Sequence, residues 1–124
     1  MLYKNFCIIV AFYTNFFYGL SEPVGKYCGN IFGNDLDINF KNTTKLADIT
    51  ASIYRNNYQC LDEKYIYETN NQSIILSSDP DDCLNLILEK YHLCPCPPSI
   101  KYNLDYNQIV IKDTDIGDII LNKC

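Results

Sequence analysis

Cysteine is the residue type in this chain that is most plainly arranged for chemistry. The chain has 124 residues and 7 cysteines. Cys7 falls in an apolar N-terminal run, which leaves an even set of six: Cys28, Cys60, Cys83, Cys94, Cys96 and Cys124. An even set in a small secreted chain is typical of three disulfides, and the spacing leaves their pairing open. Metal ligation is the alternative, but a single histidine and an oxidising destination favour disulfides.

Two of these cysteines stand one residue apart in the stretch LCPCPPSIKY. Its three prolines lack backbone donors and end any helix before them, so we expect the chain to leave extended. Cysteines two positions apart in an extended segment point to opposite sides, which predicts different disulfide partners. The segment then anchors the helix, or alternatively presents a stiff contact loop to a partner at low entropic cost. That loop comprises Cys94, Pro95, Cys96, Pro97, Pro98 and Ser99.

The residues needed for catalysis are few. His92 is the one histidine, and at a predicted helix C-terminus its positive form complements the helix dipole. Neither G-x-S-x-G nor H-E-x-x-H occurs, and six bonded cysteines leave no thiolate nucleophile. A pair of carboxylates remains open, since Asp and Glu number 15. We predict no catalytic, cofactor-binding or metal-binding residues, hence a protein that is not an enzyme, with a carboxylate-based hydrolase as a minor alternative.

The first 21 residues have the order of a secretory signal peptide. Lys4 precedes an apolar run, and the small residues Gly19 and Ser21 follow it at the spacing that signal peptidases accept. We expect cleavage after Gly19 or Ser21, which leaves residues 22–124 as one secreted, disulfide-rich domain without a stable membrane span. The expected location is outside the cell or in the secretory-pathway lumen.

The charge of the chain excludes one class of partner. The whole chain carries a net charge of −5, and its one arginine, Arg55, belongs to no basic cluster. Phosphate backbones and anionic lipid attract basic surfaces, so nucleic acid is not an expected partner.

Most of residues 22–124 show the period of two that is typical of strands. Leu36, Ile38 and Phe40 alternate with polar residues in DLDINFK, as do Ile49 and Ile53 in DITASIY, and we expect the two strands to share a core face. Five further segments are rich in Ile, Val and Tyr: EKYIYE, SIILS, SIKYNL, NQIVIKD and DIILNKC. Turn signals at 70–71, 105–107 and 117–118 separate them, which favours antiparallel pairing.

One segment has a helical period instead. Asp79 can cap a helix that begins at Pro80, and apolar residues then recur at three- and four-residue intervals as far as Tyr91. Asn85, Glu89 and His92 fall on the other side. The predicted fold is therefore α+β: a single curved antiparallel sheet or small open barrel of six or seven short strands, packed on one amphipathic helix over 80–93 and braced by three disulfides.

Two glycosylation sequons begin at Asn42 and Asn71, both in predicted connections between strands. The segment GKYCGN, followed by strands and a late helix, is similar to the start of lipocalin-type barrels, and the six cysteines are similar in number to those of saposins. The chain has no Trp, is short for eight strands, and is not helical in pattern, so no residues are transferred from either family.

The hypothesis that follows is a small acidic binding protein. A rigid disulfide-braced sheet with 11 tyrosines would hold an apolar small molecule or an extracellular protein partner. The alternative is a protease inhibitor that uses the loop from Cys94 to Ser99.

Overall fold

The computed structural model describes residues 22–76 and 82–124. Within those ranges the chain forms nine strands and one helix. Their bounds are β1 Gly25–Ile31, β2 Asn34–Lys41, β3 Leu46–Ile53, β4 Asn56–Lys64, β5 Ile66–Glu68, β6 Ser73–Ile75, α1 Cys83–Lys90, β7 Ser99–Asn103, β8 Gln108–Thr114 and β9 Gly117–Lys123. The signal-peptide prediction, with its cleavage at Gly19 or Ser21, lies outside the described residues.

All nine strands belong to one antiparallel sheet that bends into a nearly closed barrel. The spatial order is β4-β3-β2-β1-β9-β8-β7-β6-β5, so the two edge strands are β4 and β5. Those two are neighbours in the chain, separated by Tyr65 alone. The run from Asn56 to Glu68 therefore pairs with β3 through its first half and with β6 through its second. Since this one run contains both edge strands, β4 and β5, the sheet must curl until its two edges come together.

The interior is packed by the alternating apolar residues of the strands. In the β2–β3 pair, Ile38 lies opposite Ile49 and Leu36 opposite Ala51, and all four side chains are buried. This confirms the predicted common core face of the two strands. The least exposed of the larger apolar side chains lie at or below one per cent: Tyr27, Ile38, Ile49, Leu84, Ile109, Ile111 and Leu121.

A β-bulge in β4 changes which residues face inward. The β3–β4 register shifts between Ala47 and Ile49, and Asp62 takes a left-handed φ of 55°. One extra residue on a strand reverses the alternation beyond it. Cys60 points inward before the bulge, and the inward positions after it are Glu63, Tyr65 and Tyr67.

The helix α1 is shorter than the predicted span of 80–93. It begins after Asp82, whose side chain makes no capping hydrogen bond, while the predicted cap Asp79 lies outside the described residues. It ends at Lys90, because the backbone N–H of His92 donates to the Glu89 carbonyl and that of Leu93 to the Leu88 carbonyl. These bonds form a Schellman motif with His92 in the left-handed region at φ 56°. The helix thus ends before the prolines are reached.

The apolar stripe of the helix is largely as predicted. Leu84, Ile87 and Leu88 are buried and Tyr91 is half-buried. Asn85 was expected on the outer side and is instead buried, so the stripe is wider than the apolar pattern indicates. Cys83, Lys90 and Tyr91 contact Cys60 and Tyr58 of β4, so the helix region lies beside this edge strand.

The described strands exceed the predicted six or seven because β1 and most of β4 lack a strong apolar alternation. Gly29 of β1 approaches β9 so closely that a Cβ there would lie 2.6 Å from Leu121 Cδ2 and 2.9 Å from the Ile120 carbonyl oxygen. A strand built around such a glycine has little side-chain signal. The argument that the chain is too short for eight strands is therefore wrong. The predicted turns at 70–71 and 105–107 are confirmed, whereas the last turn lies at 115–116, two residues before the predicted position.

The six cysteines form three disulfides, as predicted. Cys28 pairs with Cys124, and Cys60 with Cys83. Cys94 pairs with Cys96, so the expectation of different partners for these two is wrong. Their Cα atoms are 4.8 Å apart, whereas an extended segment spans about 6.6 Å over two residues. The chain is therefore contracted between Cys94 and Cys96 instead of extended.

Candidate functional site

The two ends of the barrel are closed by different kinds of hairpin. At one end, which we call the tip end, β1–β2, β3–β4 and β8–β9 are each joined by a two-residue loop. At the other end, the far end, β2–β3, β5–β6 and β7–β8 are each joined by a four-residue loop. The helix α1 lies in the β6–β7 connection, so it reaches the tip end.

Each two-residue loop at the tip end carries one bulky apolar side chain. Phe32 is 91% exposed, Tyr54 is 74% exposed and Ile116 is 50% exposed. Phe32 and Tyr54 also adopt left-handed φ angles of 52° and 49°. Tight hairpin loops favour Asn or Gly at such positions, because a bulky side chain there is sterically costly. Phe32 and Tyr54 thus combine a strained backbone with high exposure, which indicates a role other than stability.

Side chains hold these loops in place. The Tyr54 backbone N–H donates to Asn34 Oδ1 at 3.0 Å, which ties the β3–β4 loop to the β1–β2 hairpin. The Gly33 backbone N–H donates to Asn30 Oδ1 at 3.2 Å, and Asn30 Nδ2 donates to Asp35 Oδ1 at 2.8 Å. The loops are therefore preorganised, which lowers the entropy lost on binding a partner.

An apolar cleft of about 200 Å³ lies between these loops and the helix. Its walls come from all three tip-end hairpins and from α1 with the turn after it. The lining residues are Ile31, Phe32, Asn34, Asp35, Leu36, Ile53, Tyr54, Leu84, Ile87, Leu88, Tyr91, Leu93, Ile116 and Ile119. Twelve of these fourteen are apolar or aromatic, and the two polar ones, Asn34 and Asp35, are engaged in the hydrogen bonds above.

A cluster of two tyrosines and a lysine borders the cleft. The hydroxyls of Tyr58 on β4 and Tyr91 after α1 are hydrogen-bonded, and Lys90 Nζ donates to the Tyr58 oxygen at 3.0 Å. Lys90 also lies over both rings, 5.4 Å and 5.7 Å from their centroids. Donation from Tyr91 and Lys90 lowers the pKa of Tyr58, and the same bonds raise the pKa of Tyr91 and of Lys90. The cluster fixes Tyr91 against the strand and so shapes one wall of the cleft.

The predicted contact loop from Cys94 to Ser99 is part of the connection from α1 to β7. Pro95, Cys96, Pro97 and Ser99 are exposed, while Cys94 is half-buried. The contracted path between Cys94 and Cys96 differs from the extended path that the prolines predicted. None of these six residues lines the cleft, although Leu93 immediately before them does.

Both predicted glycosylation sequons lie in four-residue loops at the far end. Asn42 is half-buried in the β2–β3 loop, and Asn71 is exposed in the β5–β6 loop. The Ser73 backbone N–H donates to Asn71 Oδ1 at 3.2 Å, which shapes this loop. A sugar at either position would leave the tip end uncovered.

The half-buried carboxyl of Glu63 is hydrogen-bonded to the carboxyl of Asp82. Burial, the hydrogen bond to Asp82 and repulsion by that carboxyl together raise the pKa of Glu63 to about 7. The ligand atoms of Glu63, Cys60 and Cys83 lie within 4.8 Å of one another, but both sulfurs belong to a disulfide and are not thiolates. Glu63 and Asp82 do not line the cleft, so this carboxyl pair has no adjoining substrate space there.

Sequence reasoning missed the residues at the centre of this site. Phe32 and Tyr54 were not recognised because the positions of two-residue loops depend on strands whose bounds were unknown. The available signals were the pair Phe32-Gly33 before a strong strand and the pair Tyr54-Arg55 directly after one.

Comparison with known proteins found no matching family model, no similar curated protein and no similar solved structure. Within residues 22–76 and 82–124 the one helix is α1, and its eight residues are too few to cross a bilayer. The geometry of the tip end is therefore the available guide to the function of this chain.

Proposed function

We propose that this protein is a secreted binding module whose tip end docks an extracellular protein partner. The single observation that carries this proposal is the set of three two-residue loops that present Phe32, Tyr54 and Ile116 to solvent around an apolar cleft. Exposed aromatic residues around a pocket are typical of the few residues that dominate binding energy at protein interfaces. The chain's single arginine, Arg55, lies beside Tyr54 in the same loop, and Arg and Tyr are both enriched in such centres.

The size of the cleft favours a protein partner over a free small molecule. Sites for drug-sized ligands occupy about 300–1,000 Å³, and a cavity of about 150 Å³ holds a benzene ring. A cleft of about 200 Å³ therefore suits one aromatic or large aliphatic side chain. We expect the partner to insert one such side chain, while its neighbouring surface packs on Phe32 and Tyr54.

A second depression on the molecule is a weaker candidate for a binding site than the cleft at the tip end. It occupies about 560 Å³ on the outer face of β2, β3 and β4, and polar side chains such as Asp37, Thr50 and Gln59 form most of its lining. An open polar surface remains hydrated, so a ligand there would gain little from desolvation. The cleft at the tip end offers more binding free energy for its size.

A displayed peptide library tests the proposal. Peptides selected on the wild-type protein are measured on a Phe32→Asn, Tyr54→Asn double variant and on a Tyr106→Asn control, whose 75% exposed tyrosine lies in the far-end β7–β8 loop. We expect selected peptides to share one large apolar residue. Their affinity should fall at least about tenfold on the double variant and stay unchanged on the control.

The same variant gives a second readout, because asparagine tolerates the left-handed conformation of both loops. We expect the double variant to be as stable as the wild type or more stable, so lost binding cannot be attributed to unfolding. If the peptides bind both variants equally, the tip end is not the docking site. If native mass spectrometry shows a retained apolar small molecule that the double variant loses, the small-molecule alternative replaces the protein partner.

A further inference from the structure

The Cys94–Cys96 disulfide joins no two elements of the fold. Cys28–Cys124 ties β1 to the residue after β9, and Cys60–Cys83 ties β4 to the start of α1. Cys94 and Cys96, by contrast, both lie in the connection from α1 to β7, two positions apart. Breaking their bond would leave every described strand and the helix attached as before. A role as a structural cross-link therefore explains this disulfide poorly.

The fold also protects this disulfide least against reduction. If a disulfide stabilises the folded state, folding stabilises that disulfide against reduction by the same free energy. This free energy grows with the number of residues in the loop that the disulfide closes. The three pairs are 96, 23 and 2 residues apart in sequence. By loop entropy, folding raises the equilibrium constant for disulfide formation about 20-fold more for Cys60–Cys83 than for Cys94–Cys96. For Cys28–Cys124 the factor relative to Cys94–Cys96 is about 200-fold.

The two sulfurs of the pair differ in access. Cys96 is exposed and lies between the exposed residues Pro95 and Pro97, while Cys94 is half-buried. Cys60 of the Cys60–Cys83 pair is only 2% exposed, whereas Cys124 of the Cys28–Cys124 pair is exposed like Cys96, so the short loop is what distinguishes Cys94–Cys96 from that pair. Cys96 Sγ contacts the Asn85 carbonyl oxygen of α1 at 3.9 Å, and we expect an incoming thiolate to attack this sulfur from its exposed side, with Cys94 as the leaving group. An exposed cysteine bonded to a less exposed one, in the pair that folding stabilises least, is the arrangement needed for a controlled exchange reaction.

We propose that Cys94–Cys96 is a thiol–disulfide exchange site that oxidises dithiols of extracellular or lumenal proteins. A substrate thiolate attacks Cys96 Sγ, the Cys94–Cys96 bond breaks, and its electron pair passes to Cys94 Sγ, which takes a proton from water. The second thiolate of the substrate then attacks the substrate sulfur of the mixed disulfide and releases the Cys96 thiolate. The substrate leaves as a disulfide, and its two electrons remain on the Cys94–Cys96 dithiol. A small disulfide such as oxidised glutathione reverses these steps and restores the site.

This reaction is independent of the proposed docking at the tip end, since none of its residues lines the cleft. It also leaves the fold intact, because the other two disulfides hold the barrel and the helix. The proposal therefore predicts a protein with one labile disulfide and two stable ones.

The first test uses the wild-type protein in buffers of increasing reduced-to-oxidised glutathione ratio. Acid quenching, alkylation and peptide mass spectrometry report the reduced fraction of each pair. We expect Cys94–Cys96 to be half-reduced at a ratio at least about tenfold lower than either other pair, with an unchanged circular dichroism spectrum. The proposal is overturned if all three pairs are reduced together with unfolding, or if Cys94–Cys96 is the last to react.

The second test measures exchange itself with a reduced synthetic peptide that contains two cysteines, under nitrogen. We expect one equivalent of wild-type protein to oxidise one equivalent of peptide at least about tenfold faster than a Cys94→Ser, Cys96→Ser variant does. A Cys28→Ser, Cys124→Ser variant removes another pair with an exposed cysteine and is the matched control, which should keep the wild-type rate. Equal rates for the wild type and the Cys94→Ser, Cys96→Ser variant would rule out the site. If the control variant fails to fold, the glutathione titration on the wild type still decides.

Discussion

At the scale of single residues, the inward-facing polar groups of the barrel have very different surroundings. Tyr27 and Tyr102 both donate hydrogen bonds to Asn107 Oδ1, at 2.6 Å and 2.9 Å, in the β7–β8 loop at the far end. The buried Tyr65 hydroxyl, in contrast, has no hydrogen-bond partner among the described residues. Glu63 is held against Asp82 and has a raised pKa. The β4 bulge places both Tyr65 and Glu63 inside the barrel.

Replacing Glu63 by Gln should stabilise the protein at neutral and alkaline pH. The folded pKa of Glu63 is about 7, while the unfolded value is about 4.3. Between these values the folded state binds more protons than the unfolded state, so the free energy of unfolding falls as pH rises from about 4.3 to about 7. Because solvent screens this half-buried group, we expect Glu63→Gln to add about 1 kcal/mol at pH 8 and little at pH 4.

Urea titrations at the two pH values measure this effect. The exposed Glu68→Gln variant in β5 is the control and should keep the wild-type dependence of stability on pH in this range. A Glu63→Gln variant with the wild-type pH dependence would show that Glu63 ionises normally in the folded protein.

At the scale of elements, the helix α1 lies beside β4, which is an edge strand of the sheet. Leu84, Ile87 and Leu88 face the barrel, and the disulfide from Cys60 to Cys83 holds the first turn of α1 against β4. Glu89 and His92 are exposed, as the helical pattern predicted. The Schellman motif, and not the following prolines, ends the helix.

Two leucines of the helix, two positions apart, should therefore differ strongly in their contribution to stability. Leu88 is 2% exposed, whereas Leu86 is 49% exposed. Leu88→Ala leaves a cavity beneath the helix and should lower the free energy of unfolding by about 2–5 kcal/mol, while Leu86→Ala should change it by less than about 0.5 kcal/mol. Denaturant titration of both variants makes the comparison. Equal effects would mean that this face of α1 does not pack on the barrel.

At the scale of the whole molecule, one bent run of chain closes the sheet, and two disulfides hold distant parts of it together. Cys28–Cys124 fastens the chain after β9 to β1, next to the β1–β9 pairing. Three disulfides are typical of proteins in oxidising compartments, which agrees with the proposed secretion. The far end carries the two sequons and the tip end carries the cleft, so a glycan at either sequon would not cover the proposed docking site.

The three disulfides should stabilise the fold in the order of the loops that they close. Loop entropy assigns about 4.7 kcal/mol to Cys28–Cys124, about 3.4 to Cys60–Cys83 and about 1.6 to Cys94–Cys96. Replacing each pair by serines and comparing urea midpoints measures the order. We expect full reduction of all three to unfold the domain, and a cooperative thermal transition after full reduction would contradict that expectation. A Cys94→Ser, Cys96→Ser variant that is the least stable of the three would show that this pair has a structural role.

Local patterns in the sequence were sufficient for the strands with strong alternation, the amphipathic helix, most of the turns and the presence of three disulfides. Each of these depends on neighbouring residues or on a count: Ile38 and Phe40 alternate with polar residues, and Leu84, Ile87 and Leu88 recur at helical intervals. The signal peptide, the glycosylation of Asn42 and Asn71 and the absence of catalysis stay predictions.

Only the tertiary structure decided the disulfide pairing, the closure of the barrel and the site at the tip end. Cysteine pairing depends on which strands become neighbours, and closure depends on one run, from Asn56 to Glu68, that pairs first with β3 and then with β6. Phe32, Tyr54 and Ile116 are far apart in sequence and come together because three antiparallel hairpins turn at the same end of one barrel. The physical reason is that local sequence sets the preferences of each segment, while a binding site is a product of which segments pair and in which register.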